Sequence, residues 1–241
     1  MLAILADIHG NLPALTRVIE DMKRYPVEGV VLLGDLIDYG MQSNEVVSCV
    51  RDTLQDRVIS AIWGNHERAV CLGDFTRFSS QRGVDSARHT ASQLTPATRA
   101  YLDSRLDHSG CQRFERAGRR FLAVHGSLED AYWKAIAPDN LRGDYRDFDV
   151  VLSGHSHYAH MFTHFYACED ARRRNQHAVL FINPGSVGQP RNHNPAAQYA
   201  LLDTGTMAVS LRAVDYDRQA AMALFDGSKD DFYRARLEYG V

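Results

Sequence analysis

The chain has 241 residues, a formal charge of −3, 45% hydrophobic and 24% charged residues. This composition excludes a mostly disordered chain and allows a sizeable core, and the length suits one large domain. The mild acidity excludes a global positive field for nucleic acid or an anionic membrane, so no stable nucleic-acid binding and no membrane association are expected. Apolar runs such as 30–33 and 179–182 are too short to span a bilayer.

Residues 1–6 read as a buried strand and not a signal peptide, since no basic region precedes them and Asp7 follows at once. Leu12, Leu15, Val18, Ile19 and Met22 recur at helical spacing. Val30 to Leu33 predicts a second strand, Val46 to Leu54 a second helix, and Val58 to Trp63 a third strand. This β-α-β-α-β order implies parallel strands with right-handed crossovers. Residues 68–107 are polar and helical in pattern, and Thr95-Pro96 makes a good cap and first-turn pair. Residues 112–115 and 119–124 flank Ala117-Gly118 as a hairpin. Strands follow at 149–152, 160–166, 179–182, 199–202 and 207–214, and this second half is expected to be antiparallel. Arg172 to Asn175 predicts an exposed turn, and a helix near 218–225 precedes a short final segment. No linker is visible. The expected architecture is a single α/β domain over 1–241: two mixed β-sheets packed face to face in an α+β sandwich, flanked by helices in four layers. A helical insertion or cover is expected at about 68–110. Cys49, Cys71, Cys111 and Cys168 form no C-x-x-C pair, which suits a reducing cytoplasm.

Each of five apolar strands ends in polar residues. The clusters are Asp7-Ile8-His9-Gly10-Asn11, Gly34-Asp35-Leu36-Ile37-Asp38, Gly64-Asn65-His66-Glu67, His125-Gly126-Ser127 and Gly154-His155-Ser156-His157. In open α/β sheets, ligands bind beyond the carboxyl ends of strands. Asp7, His9, Asp35, Asn65, His125, His155 and His157 supply oxygen and imidazole donors without a thiolate, which suits divalent first-row metals. Seven donors exceed one tetrahedral ion and suit two ions about 3.5–4 Å apart that share a carboxylate.

The motifs D-x-H, G-D, G-N-H-[ED], H-G and G-H-x-H occur in that order over residues 7–157. On them the chain resembles the calcineurin-like metallophosphoesterases. With Gly10-Asn11 and Asn183-Pro184-Gly185-Ser186 it is most similar to the small bacterial and archaeal phosphodiesterase branch. The resemblance implies Asp7, His9 and His157 on one metal, Asn65, His125 and His155 on the other, and Asp35 bridging. It implies His66 as general acid, Asp38 as the carboxylate that orients it, and hydrolysis of a phosphoester by a water bridging the ions. Manganese is the first expectation; iron, cobalt, nickel and zinc also use such donors.

The resembled protein phosphatases carry Arg after that carboxylate, where this chain has Tyr39. Arg191, Arg68 and Asn11 are the candidate substrate-binding residues instead. The expected substrate is a small phosphodiester, phosphomonoester or nucleotide. The alternatives are a serine/threonine-type protein phosphatase, a dinucleoside polyphosphate hydrolase and, from another class, a non-catalytic scaffold on the same fold. Nothing in the sequence specifies an oligomeric state.

Overall fold

Burial on both faces of the first strand decides the layering. The computed structural model describes all 241 residues. In β1 (Leu2–Leu5), Leu2 and Ile4 join one apolar cluster while Ala3 and Leu5 join another. Alternate side chains leave a strand on opposite faces, so a wholly apolar strand must lie between two layers. The chain continues through α1 (Leu12–Met22), β2 (Gly29–Leu32), α2 (Ser43–Thr53) and β3 (Val58–Ala61), and β1, β2 and β3 pair in parallel as the pattern predicts. The polar stretch resolves into α3 (Asn65–Leu72), α4 (Gln81–Gln93) and α5 (Pro96–Arg105). Thr95 caps α5 by accepting from Thr98 N at 3.2 Å, with Pro96 in the first turn.

Next come β4 (Cys111–Arg116), β5 (Arg119–Val124), β6 (Val150–Ser153), β7 (Ala159–Ala167) and β8 (Gln176–Pro184). The last elements are β9 (Ala197–Leu202), β10 (Val209–Val214), α6 (Arg218–Met222) and α7 (Asp231–Tyr239). The first sheet has the order β10-β9-β1-β2-β3, and the second β4-β5-β6-β8-β7.

The second half is not antiparallel throughout, which corrects the sequence reading. β5 pairs parallel to β6, and β6 parallel to β8, while β4, β7, β9 and β10 pair antiparallel. Residues 125–149 are long enough for the crossover that a parallel pair needs. The result delivers the polar ends of β5, β6 and β8 to one edge. β9 and β10 also join the first sheet, not the second, with β9 beside β1.

Between the sheets lie Leu2, Ile4, Val31 and Leu33 from one side, and Phe121, Ala123, Leu152 and Ile182 from the other. All seven helices contribute to the cluster on the far face of the first sheet. The far face of the second sheet is covered by Ile136, Tyr145 and Phe148, which belong to a segment without an α-helix. No helix is long and apolar enough to cross a membrane.

Candidate metal centre

The ends of β1, β2, β3, β5 and β6 meet at one edge and bring all seven predicted donors together. Asp7, His9, Asp35 and His157 form one group of potential ligands, and Asp35, His125 and His155 a second; within each group the ligand atoms lie within 4.8 Å of one another. Asp35 belongs to both. Asn65 joins the second group, with its Oδ1 at 3.0 Å from His125 Nε2 and 2.9 Å from His155 Nδ1.

The backbone at these positions is unusual. Asp7, His9, Asp35, His155 and His157 have φ of 55°, 49°, 53°, 64° and 61°, and Asp38 has 72°. This left-handed region costs an L-residue roughly 1–2 kcal/mol and is tolerated best by Asn, Asp and Gly. The turns are held by main-chain bonds, including Asp7 N to Gly34 O at 3.1 Å and His9 N to Asp35 O at 2.9 Å. Glu67 adds a buried staple. Its two oxygens accept from the backbone N–H of Asp35, Leu36, Ile37 and Gly64 at 2.7–3.3 Å. Burial, and then the Asp35 charge, push this carboxyl up to about 7. Gly64 is required because a Cβ there would lie 2.0 Å from Asp35 Oδ1.

The donor set fits a cation. His9, His125 and His157 each place Nδ1 against a backbone carbonyl, Ile37 O at 3.1 Å, Leu33 O at 2.7 Å and Gln189 O at 2.6 Å. A carbonyl only accepts, so Nδ1 carries the proton and Nε2 presents a lone pair. His9 Nε2 then faces His157 Nε2 at 3.2 Å, and His157 Nε2 faces Asp7 Oδ1 at 3.2 Å. These are acceptors against acceptors. Asp7 Oδ1 is buried without any hydrogen bond. A positive ion among these atoms would satisfy all of them at once. Protons do so less well: burial, with opposing contributions from neighbouring charges, holds His9 and His157 well below the ordinary imidazole range and takes His155 down to about 3. His125 goes the other way. Burial opposes its charge, but Asp35 outweighs it and raises the ring to about 9.

His66 stands beside these groups with a separate network. Its Nδ1 lies 2.7 Å from Asp38 Oδ2, as the resemblance implies. Asp38 Oδ1 accepts from Ser86 and Thr90 hydroxyls at 2.7 Å each and from Lys229 Nζ at 3.3 Å. Burial opposes the Asp38 charge, yet Lys229 and then His66 hold it far below the usual carboxylate range. Burial also opposes a charge on His66, but Asp35 and then Asp38 raise it above the ordinary imidazole value. Ser86, Thr90 and Lys229 were not foreseen from the sequence. The one available signal was a lysine at 229 in a chain with 24 arginines and three lysines.

Above the donors opens a cavity of about 480 Å³, lined by Asp35, Asn65, His66, His155 and His157 at its floor. The 73–80 stretch between α3 and α4 contributes Arg77 and Phe78 to the wall, and the first turn of α4 contributes Arg82. Trp133, Arg191 and the α7 residues Phe232, Tyr233 and Arg236 complete it. Tyr39 lies between floor and wall. Its ring is 4.4 Å from both His9 and His66 and stacks on Tyr233 at 4.5 Å. Burial pushes its hydroxyl up to about 12, so it is a neutral phenol.

Of the predicted substrate-binding residues, only Arg191 lines this cavity. Arg68 lies over the Tyr132 ring, with its guanidinium carbon 5.1 Å from the centroid, and does not reach the cavity wall. Asn11 is 3% exposed and committed to structure. Its Oδ1 caps α1 through Ala14 N, while its amide donates to Gly188 O and Tyr216 Oη at 3.0 Å. A polar residue after a ligand loop is here the start of a helix, which its sequence position before Leu12-Pro13 already permits. The 183–188 turn braces the ligand loops from behind, with Ser186 Oγ donating to Asp7 O at 2.6 Å and Asn183 Nδ2 to Gly154 O at 2.8 Å.

Residues 1–207 match the model of the calcineurin-like phosphoesterase superfamily domain. A structure described as a metallophosphoesterase from Sphaerobacter thermophilus is 27% identical, with a TM-score of 0.74, and the alignment covers 100% of this chain and 98% of that one. An uncharacterized protein of Methanocaldococcus jannaschii is 28% identical over 92% of this chain and 90% of its own length. The phosphodiesterase YfcE of Escherichia coli is 24% identical over 86% of this chain and 90% of its own.

Proposed function

The chain belongs to the calcineurin-like phosphoesterase superfamily, and from that premise we propose that it hydrolyses the phosphodiester or phosphomonoester of a small molecule or nucleotide with two divalent metal ions. The observation that carries this reading is the pair of ligand groups sharing Asp35 beneath an open cavity, with His66 at their side. Asp7, His9 and His157 would hold one ion, Asn65, His125 and His155 the other, and Asp35 both. Bound there, the ions would offset charge on the phosphate oxygens and lower the pKa of a water.

The remaining work falls to side chains of the chain. Asp38 accepts a 2.7 Å hydrogen bond from His66 Nδ1–H, which leaves Nε2–H as the donor available to the reaction. From there His66 protonates the leaving oxygen. Lys229, Ser86 and Thr90 keep Asp38 ionised and fixed, so the imidazole stays in one orientation. Phe78, Trp133 and Tyr233 give the cavity wall an aromatic surface against which the organic part of a substrate would pack. A small substrate is favoured over a phosphoprotein because position 39 is a neutral, buried phenol rather than a guanidinium. The phosphodiesterase name of the Escherichia coli relative supports diesters as the first class to assay.

The test is a phosphoester panel on the purified chain, run with Mn²⁺, Fe²⁺, Co²⁺, Ni²⁺ and Zn²⁺, beside elemental analysis. Expected are about two ions per chain, activity lost to chelator and restored best by Mn²⁺. Absence of retained metal and of hydrolysis with every ion would overturn the proposal.

A further inference from the structure

Four guanidinium groups line the cavity, and they are not equivalent. Arg77 is paired with Asp130 at 2.6 Å. Arg82 and Arg236 flank the Phe232 ring, each with its guanidinium carbon 4.3 Å from the centroid. Arg191 follows closely on Gln189, whose carbonyl orients His157. Neither Arg191 nor Arg236 makes a side-chain hydrogen bond or an ion pair, and the Nε of each is buried without a partner. Trp133 Nε1 on the same wall is likewise buried and unpartnered. The two guanidiniums are close enough to feel each other: burial, and then Arg191, bring Arg236 down to about 10.

The buried unpartnered groups of the residues lining this wall are N–H donors and its charges are positive, which suits an acceptor with negative charge; the unpartnered Gln189 Oε1 belongs to the neighbouring segment and does not line the cavity. Guanidiniums in such a place normally find a carboxylate or phosphate. The chain supplies none. Asp231 is already paired with Arg234, Asp38 with Lys229 and His66, and Asp35, on the cavity floor, belongs to the ligand groups. Arg236 is placed away from the ligand groups by intervening structure, while Arg191 stands close enough to His157 for its charge to oppose protonation there. Arg236 stands one helical turn beyond Tyr233, and Tyr233 stacks on Tyr39, which in turn touches His9 and His66. The scissile phosphate at the floor would therefore leave Arg236 for a different group, and Arg191, near enough for Arg236 to feel its charge, is placed to share that group.

We propose that Arg191 and Arg236 form a second anion subsite, which binds a phosphate of the substrate other than the one hydrolysed. The substrate class is a phosphoester bearing a second phosphate, and this rests on the phosphoesterase reading above. Phe232 fixes the Arg236 side chain by stacking, so the subsite is pre-organised. Arg191 links it to the floor through the Gln189 segment.

The experiment uses the Mn²⁺-loaded full chain and two thymidine esters with the same scissile bond. One is the para-nitrophenyl ester of thymidine 5′-phosphate, and the other is that ester carrying a 3′-phosphate. The wild type should favour the 3′-phosphorylated ester in kcat/KM by roughly 10–100-fold, the worth of one or two charge-assisted contacts. Arg191→Gln and Arg236→Gln should each shrink that ratio, and the double variant should bring it to within about threefold of unity. Glutamine keeps most of the side-chain length against Phe232, and an unchanged melting temperature shows that the fold is kept. A wild-type ratio near one, or a ratio that survives in the double variant, overturns the subsite. If neither ester is hydrolysed with any metal, the phosphoesterase reading fails, and calorimetric titration of inorganic pyrophosphate into metal-stripped protein decides the subsite alone. Binding weakened about tenfold or more in the double variant supports it; no binding, or equal binding, overturns it.

Discussion

On the cavity floor, seven donors come from five strand ends between residues 7 and 157, and each follows an apolar run. On the opposite wall, Phe232, Tyr233 and Arg236 come from one nine-residue helix, and the bend before that helix supplies Lys229, which lies off the wall and donates to Asp38. These four residues lie beyond residue 207, where the match to the family model ends. The floor is held by backbone: ladders, left-handed turns and the Glu67 staple leave its donors little freedom. The α7 part of the wall is held largely by side chains that stack, with Gln189 Nε2 donating to Tyr233 O at 3.2 Å and, in the bend before it, Lys229 Nζ donating to Gly40 O at 3.0 Å. A site assembled this way can keep its chemistry while its selectivity drifts.

The strongest way to break the comparison is on the floor. Asp35→Ala should remove both ions and lower kcat by about 10³-fold or more, given that metal stabilisation is worth several kcal/mol. Elemental analysis and kcat on the same sample check it. His66→Ala should keep both ions. It should cost about 10²–10⁴-fold with an alkoxide leaving group and far less with nitrophenolate, which needs no proton. A series of esters with rising leaving-group pKa reads this directly, and a flat ratio would remove His66 from the acid role.

Lys229→Met probes the join between the two regions. It strands the buried Asp38 charge, so it should cost about 3 kcal/mol in urea unfolding, much of it recovered when Asp38→Asn is added. Recovery would show that the C-terminal segment is coupled to the floor through one charge; no recovery would show that it is coupled through packing.

Asp21→Asn is the control that touches neither region. Asp21 is buried in α1 and accepts from Arg212 Nε and Tyr199 Oη at 2.8 Å each. Burial opposes its charge, but the Arg212 and Tyr199 bonds hold its pKa below the ordinary carboxylate value. Its contribution is therefore present above the unfolded value near 4 and is lost as pH falls through the depressed folded value. The variant should be less stable by about 1–2 kcal/mol at pH 7. That gap should narrow in urea melts at pH 3, with kcat unaffected at neutral pH.

The floor was legible in the sequence because its logic is local. An apolar strand followed by Asp-x-His or Gly-His-x-His states both the element and the atom it delivers. The same locality misled at Asn11, where a polar residue after a ligand loop turned out to cap α1. Arg68 sits two residues past a motif histidine but on a helix face that packs against Tyr132. Arg236 was invisible because contact between α7 and the 185–191 loop is a long-range fact, and one arginine among 24 carries no mark. The parallel pairing of β5, β6 and β8 was hidden for a similar reason: crossover length reads as loop until the partner strand is known.

The left-handed turns have a consequence for how this centre can change over generations. Asp, Asn and His are the side chains that can both donate to a hard or borderline cation and sit at positive φ with modest strain. Selection at positions 7, 9, 35, 155 and 157 therefore acts on two properties at once. A step from Asp to Glu keeps the carboxylate but meets the backbone penalty, and a step from His to Cys softens the ligand at the same penalty. Single-residue routes toward a different metal preference are thus narrowed by main-chain geometry as well as by coordination chemistry. Adaptation to a new metal is expected to arise first at residues such as Gln189, which touch the ligands from outside those turns.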